Sequence, residues 1–226
     1  MLKTLATPLL CLAALPGHAQ VPPNNAQLSS YEGLFAAAAR GDLAGIKALI
    51  AQGKPVDPRD GYKRTPLHVA TYRSQIPAMR ALVGAGADPN ALENERYDIV
   101  TIAAVANDVP TLKAALEFGC KATNITSRYD GTALIAAAHL GHAEVVRELI
   151  RAGAPLNHVN NLGWTAVIEA IVLGNGGANH QATLKHLIEA KADLNLADRN
   201  GTTPLGLARG RGYAAMVTML EAAGAR

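Results

Sequence analysis

The sequence predicts an all-α solenoid of about six stacked helix-turn-helix units, and three observations carry that expectation. A six-residue segment, Thr65-Pro66-Leu67-His68-Val69-Ala70, recurs as Thr203-Pro204-Leu205-Gly206-Leu207-Ala208. Each copy is followed 21 residues after its Thr by Gly-Ala, at Gly86-Ala87 and Gly224-Ala225. The composition fits close helix packing: 49% of the 226 residues are hydrophobic but only 4% are aromatic, so small side chains must fill the interior. With 17% charged residues the chain can bury a sizeable core and does not read as disordered.

Residues 1–19 read as a cleavable secretory signal: Lys3, an apolar run from Leu9 to Leu15, then Pro16-Gly17-His18-Ala19 ahead of Gln20. The expected cleavage lies between Ala19 and Gln20. The run is shorter than the roughly 20 apolar residues a bilayer span requires, so no stable membrane insertion is expected. Leu10 before Cys11 is a poor match to a lipoprotein signal. Loss of the segment leaves Cys120 as the only cysteine, which excludes an internal disulfide. Residues 20–30, rich in Pro, Asn, Gln and Ser, read as a short flexible leader.

The repeats occupy 31–226. Thr65, Asp98, Thr132, Thr165 and Thr203 are equivalent positions, spaced by 33, 34, 33 and 38 residues, and Glu32 with Gly53 marks a weaker first copy. Approximate unit boundaries are 31–59, 60–92, 93–126, 127–159, 160–197 and 198–226. A 33-residue period opening on Thr-Pro-Leu-His-x-Ala resembles the ankyrin repeat family, here of an exported bacterial type. The resemblance implies helix pairs joined by hairpin fingers, with the fingers and first helices lining a concave surface.

One unit shows the physical logic. Thr132 can cap a first helix by accepting a backbone hydrogen bond, and Leu134, Ala137 and Ala138 follow at helical spacing. Gly141-His142 breaks that helix. The second, 143–152, sets Val145, Val146, Leu149 and Ile150 on one face against Glu144, Arg147, Glu148 and Arg151 on the other, and Gly153 is its left-handed stop. Two units depart from the pattern. The third has Asp98-Ile99-Val100-Thr101-Ile102-Ala103 and puts Asn107-Asp108 where the inter-helix Gly belongs, but keeps the apolar positions, so its helix pair should persist. The fifth carries five extra residues within 174–180, expected as a surface loop.

The residues offer little for catalysis. His139 and His142 lack a third metal ligand at matching spacing, and both His142 and His68 fall at family positions that imply structural roles. There is no Gly-x-Ser-x-Gly, and Gly174-Asn175-Gly176-Gly177 lacks the ending of a phosphate loop. Asp57, Asp60, Asp193 and Asp198 lie in fingers, where Asp is a common turn former. The alternative to binding is a metal-dependent or redox activity built on finger His and Asp residues or on Cys120, whose place after Gly119 also suits simple burial. No cofactor or metal is expected.

The aromatic residues are better placed for binding. Tyr62, Tyr97, Tyr129 and Trp164 all fall within four positions before a repeat's Thr equivalent, in four consecutive fingers. Arg64, Arg96 and Arg128 lie beside them, and Tyr72, Arg73 and His139 follow on first helices. Trp, Tyr and Arg dominate binding hot spots because they bury much area while keeping a polar handle. The net charge of +3, with 21 basic residues spread over all units, does not suit a nucleic-acid partner. The expectation is a non-enzymatic, monomeric scaffold, periplasmic or secreted, that binds a protein of the cell envelope. Resemblance to exported bacterial ankyrin proteins suggests two partner classes, a stress-defence enzyme such as catalase or a toxic effector.

Overall fold

The computed structural model describes residues 20–226; the expected signal segment and Ala19 lie outside them. Thirteen α-helices make up the described chain. After α1 (Asn25–Ser30) come six pairs: α2 (Gly33–Arg40) and α3 (Leu43–Ala51), α4 (Pro66–Tyr72) and α5 (Ile76–Gly84), α6 (Ile99–Val105) and α7 (Val109–Glu117). The series continues with α8 (Ala133–Leu140) and α9 (Ala143–Arg151), α10 (Ala166–Val172) and α11 (Ala178–Glu189), α12 (Pro204–Gly210) and α13 (Ala214–Ala222). Each first helix packs on the next first helix, and in the second layer α3 packs on α5, α7 on α9, α9 on α11 and α11 on α13, which gives a two-layer solenoid.

The caps appear where the ruler set by Thr65 puts them. Thr65, Asp98, Thr132, Thr165 and Thr203 N-cap α4, α6, α8, α10 and α12, each accepting a hydrogen bond from the backbone N–H three residues on. In the first repeat Glu32 holds the position without a side-chain cap. Gly53, Gly86, Gly119, Gly153 and Gly224 close the second helices with positive φ, and Lys191 does so in the fifth repeat. The divergent third repeat keeps its pair because Asn107 takes the left-handed conformation (φ 55°) that Gly141 supplies in the fourth, and Asp108 caps α7.

Small residues set the helix spacing. Five positions after the Thr equivalent stands an alanine in all six repeats, Ala37, Ala70, Ala103, Ala137, Ala170 and Ala208, each at most 1% exposed. On the second layer Ile46, Met79, Leu112, Val146 and Leu184 form a matching buried row. Neither row could be buried by one repeat alone, so each interface depends on its neighbour.

Three expectations are corrected. The leader is not featureless: Asn24 and Gln27 make a reciprocal capping box that starts α1, and residues 20 and 21 bond to the repeats. The five extra residues of the fifth repeat are not a loose loop. Part of them lengthens α11 to 12 residues against nine in the other second helices, and the rest forms a tight turn over 174–177. The Tyr213 hydroxyl donates to Gly174 O at 2.9 Å, and a Cβ on Gly176 would lie 2.6 Å from the Tyr213 ring. Glu148, expected on the polar face of α9, is buried because Lys113 and Arg151 close over its carboxylate at 3.6 and 2.8 Å.

Candidate functional site

The fingers are organised by a side chain five residues before each Thr equivalent. Asp60, Glu93, Ser127, Asn160 and Asp198 each accept two backbone N–H bonds, from the residues two and four further on. Lys63, Arg96, Asp130, Gly163 and Gly201 turn the tips with positive φ. Successive fingers are then joined through the backbone: Asn94 N–H to Tyr62 O at 3.0 Å, Ser127 N–H to Arg96 O at 3.1 Å, Asn161 N–H to Tyr129 O at 2.9 Å. One sequence signal, an oxygen-bearing side chain recurring at this phase, marked these organisers. Asp60 and Asp198 are thus more than turn formers, and Glu93, Ser127 and Asn160 share their role.

This ladder carries Tyr62, Tyr97, Tyr129 and Trp164 on adjacent fingers of the second to fifth repeats. Tyr62 is 40% exposed and the other three are half-buried. The Tyr97 carbonyl accepts from His68, which fastens the third finger to α4. Burial, followed by the Glu93 and Glu95 carboxylates, raises the Tyr97 hydroxyl above its ordinary range, so it is a neutral donor. Arg96 and Arg128 are exposed but committed to neighbouring fingers, Arg96 to Asp130 at 2.7 Å and Arg128 to Glu95.

Arg64 does not face solvent. Its side chain is fully buried, with Nε 2.8 Å from Asp60 Oδ2 and Nη1 3.1 Å from Val21 O, and its guanidinium stacks 4.6 Å from the centre of the Tyr62 ring. Asp60 also accepts from the Tyr31 hydroxyl at 2.6 Å. Spacing from Thr65 assigns Arg64 to the exposed row, but Asp60, Tyr62 and the leader enclose it.

On the first helices, Tyr72, Val105, His139 and Val172 stand seven residues after successive Thr equivalents and remain partly exposed, forming the open face that the second helices leave uncovered. Arg73, at the end of α4, is exposed. The Tyr72 hydroxyl is buried without a partner and is raised above its ordinary range by burial. His139 Nδ1 lies 3.5 Å from Glu169 Oε2, and burial together with the neighbouring His180 lowers its pKa, so its ring is neutral near pH 7. Glu169, missed from sequence, is 4% exposed; burial raises its carboxyl to about 7 against one opposing bond from Asn160.

His68, His142 and Cys120 are held in contacts that tie the repeats together or bury them. Burial lowers His68 to about 4, and its Nδ1 faces Thr65 while Nε2 faces Ala91 O at 3.0 Å. His142 Nδ1 is 3.0 Å from Ala104 O in the preceding repeat. Cys120 is 3% exposed and burial pushes its thiol up, away from the reactive thiolate. Among the described residues no three His, Cys, Asp or Glu side chains are grouped as metal ligands, and no helix is long and apolar enough to cross a membrane.

Comparison with known proteins matches the same architecture. A family model described as ankyrin repeats (3 copies) matches residues 6–93 and 100–196, the first match starting inside the segment read as a signal. The chain is 34% identical over 190 residues to a putative ankyrin repeat protein, YahD, of Escherichia coli K12, covering 84% of this chain and 94% of that one. It is 31% identical to human ankyrin repeat and SOCS box protein 16 over 85% of its own length, spanning 43% of that longer protein. The crystal structure of an ankyrin repeat domain from Acinetobacter baumannii AYE superposes with a TM-score of 0.80 at 46% identity, covering 85% of this chain and 98% of the other.

Proposed function

Because the chain belongs to the ankyrin repeat family and is thus a protein-interaction scaffold, we propose that it works without catalysis by holding another protein of the bacterial envelope against its fingers and first helices. The observation that carries this reading is the row Tyr62, Tyr97, Tyr129 and Trp164, spread over four fingers that the backbone ladder holds in register. Rings on a rigid support lose little entropy on binding, and the flanking Arg96 and Arg128 supply polar reach. Tyr72 and His139 extend the surface onto the first helices.

The periplasmic or secreted address rests on residues 1–19, with Lys3, the short apolar run and the small residues before Gln20. In that compartment the scaffold acts as a monomer on one partner, either stabilising a stress-defence enzyme or occluding a toxic effector. The test is capture from an envelope extract by tagged mature protein and by its Tyr97→Ala, Trp164→Ala double variant. The double variant should keep its helical circular dichroism and a cooperative melt while losing the captured partner. Equal capture by both proteins would remove the finger row from the binding surface.

A further inference from the structure

Arg64 is the one buried guanidinium among the described residues, enclosed by Asp60, the Tyr62 ring and the chain's own N-terminal segment. Val21 O accepts a hydrogen bond from Arg64 Nη1 at 3.1 Å. One residue earlier, the Gln20 carboxamide reaches the open side of α6 and donates to Ile102 O at 2.6 Å and Thr101 O at 3.2 Å. Pro23 is buried, while Val21, Pro22 and Asn24 are exposed. The segment therefore runs from the third repeat back across the second before α1 leads into the first. Two consecutive prolines hold it extended, since each fixes φ and disfavours a helical residue before it. The contacts are those of a bound peptide: one backbone carbonyl on a buried arginine, one carboxamide on helix carbonyls, one ring in a closed site.

The occupant fits incompletely. Arg64 Nη2 and Tyr72 Oη are both buried without a partner. They belong to one polar cluster with Asp60 and Glu93, whose charges act on Tyr72. A buried donor left unpaired costs stability, so a segment that brings one more acceptor to this place would bind better than residues 20–23 do.

We propose that the open face from α4 to α6, with the Arg64 finger, is a cleft for an extended proline-containing peptide, that residues 20–23 fill it in cis, and that a partner must displace them. This rests on the reading of the finger and first-helix face as the binding surface, and it adds the chemical class of ligand and a built-in competitor. The cis segment is tethered next to its cleft at an effective concentration on the order of millimolar, so weaker ligands are excluded.

The probe is the peptide acetyl-Gln-Val-Pro-Pro-Asn-amide, titrated into isotope-labelled protein while backbone amide resonances are followed. The protein is compared with its Gln20→Ala variant, in which the two bonds to α6 are gone. Gln20→Ala should leave the helical circular dichroism unchanged and should shift the amide resonances around Thr101 and Ile102, whose carbonyls lose the Gln20 carboxamide. Peptide should then shift residues 62–72 and 99–105 in Gln20→Ala protein, and should leave the unmodified protein unchanged below millimolar concentration. Adding Arg64→Lys, which keeps the charge but not the fork, should weaken those shifts. No shift in either protein, equal shifts in both, or shifts confined to the last three repeats would each overturn the proposal. The two readings fail separately, because envelope capture reports on Tyr97 and Trp164 whereas the peptide reports on α4, α6 and residues 20–23.

Discussion

Glu169 shows how a single residue on the open face makes stability depend on pH. Its carboxyl titrates near 7 in the folded chain against 4.5 as an ordinary glutamate, because burial disfavours the charged form. A folded value above the unfolded one means that the native state holds the proton more tightly. Its stabilisation is complete below about pH 4.5, declines as pH rises toward 7 and stays lost above that. The size is on the order of 3 kcal/mol. His68, lowered to about 4, acts in the opposite direction, losing stability as pH falls from 6.5. A difference between variants separates the two. Glu169→Gln retains the acceptor for Asn160 and should gain about 2 kcal/mol in urea denaturation at pH 8 but almost nothing at pH 4; a gain independent of pH would refute the assignment. Residues of this kind were the least legible in the sequence. Glu169 stands in an apolar helix, Ala166–Val172, with nothing local to mark it, since its burial comes from Asn160 on its own finger and His139 on α8, the first helix of the preceding repeat. The burial of Arg64 is hidden in the sequence for the same reason: part of its cover comes from a segment 43 residues earlier.

Elements, by contrast, were legible wherever their chemistry is local. Thr132 capping α8, Gly141 ending it and Asp98 standing in for Thr were all readable, because a cap needs only the next three residues. The fifth-repeat insertion was not, because a Gly-Asn-Gly-Gly stretch has the composition of a loose loop and its order comes from the sixth repeat. Gly176 combines φ 68° with direct contact to the Tyr213 ring, whereas Gly201, at φ 75°, has open space where a Cβ would stand. Gly176→Ala should therefore cost about 2–4 kcal/mol, and Gly201→Ala about 1 kcal/mol of backbone strain alone. Chemical denaturation of the pair measures the difference; equal losses would mean that the turn does not pack on Tyr213.

At the scale of the whole molecule, the six-repeat stack follows from the period, and its stability is a chain of neighbour interfaces. Leu149 is fully buried in α9, which packs against both α7 and α11. Leu149→Ala should lower unfolding free energy by about 2–5 kcal/mol, the usual range for a core cavity. Because the break falls mid-array, hydrogen exchange should show protection falling on both sides of the fourth repeat, whereas Leu220→Ala in terminal α13 should loosen only the last units. Loss of protection confined to α9 in the Leu149 variant would mean that the repeats are not coupled. The joints of the stack are also unequal. The last three are bolted by long polar side chains, His142 to Ala104 O, His180 to His139 O across α11 and α8, and the Tyr213 hydroxyl to Gly174 O. The first ones are spanned by residues 20 and 21. The solenoid is in this sense a spring with one stiff end and a removable brace at the other. Prising the brace away would soften the first three repeats while leaving the last three rigid, and so would concentrate any adjustment of curvature at the end where the brace had been.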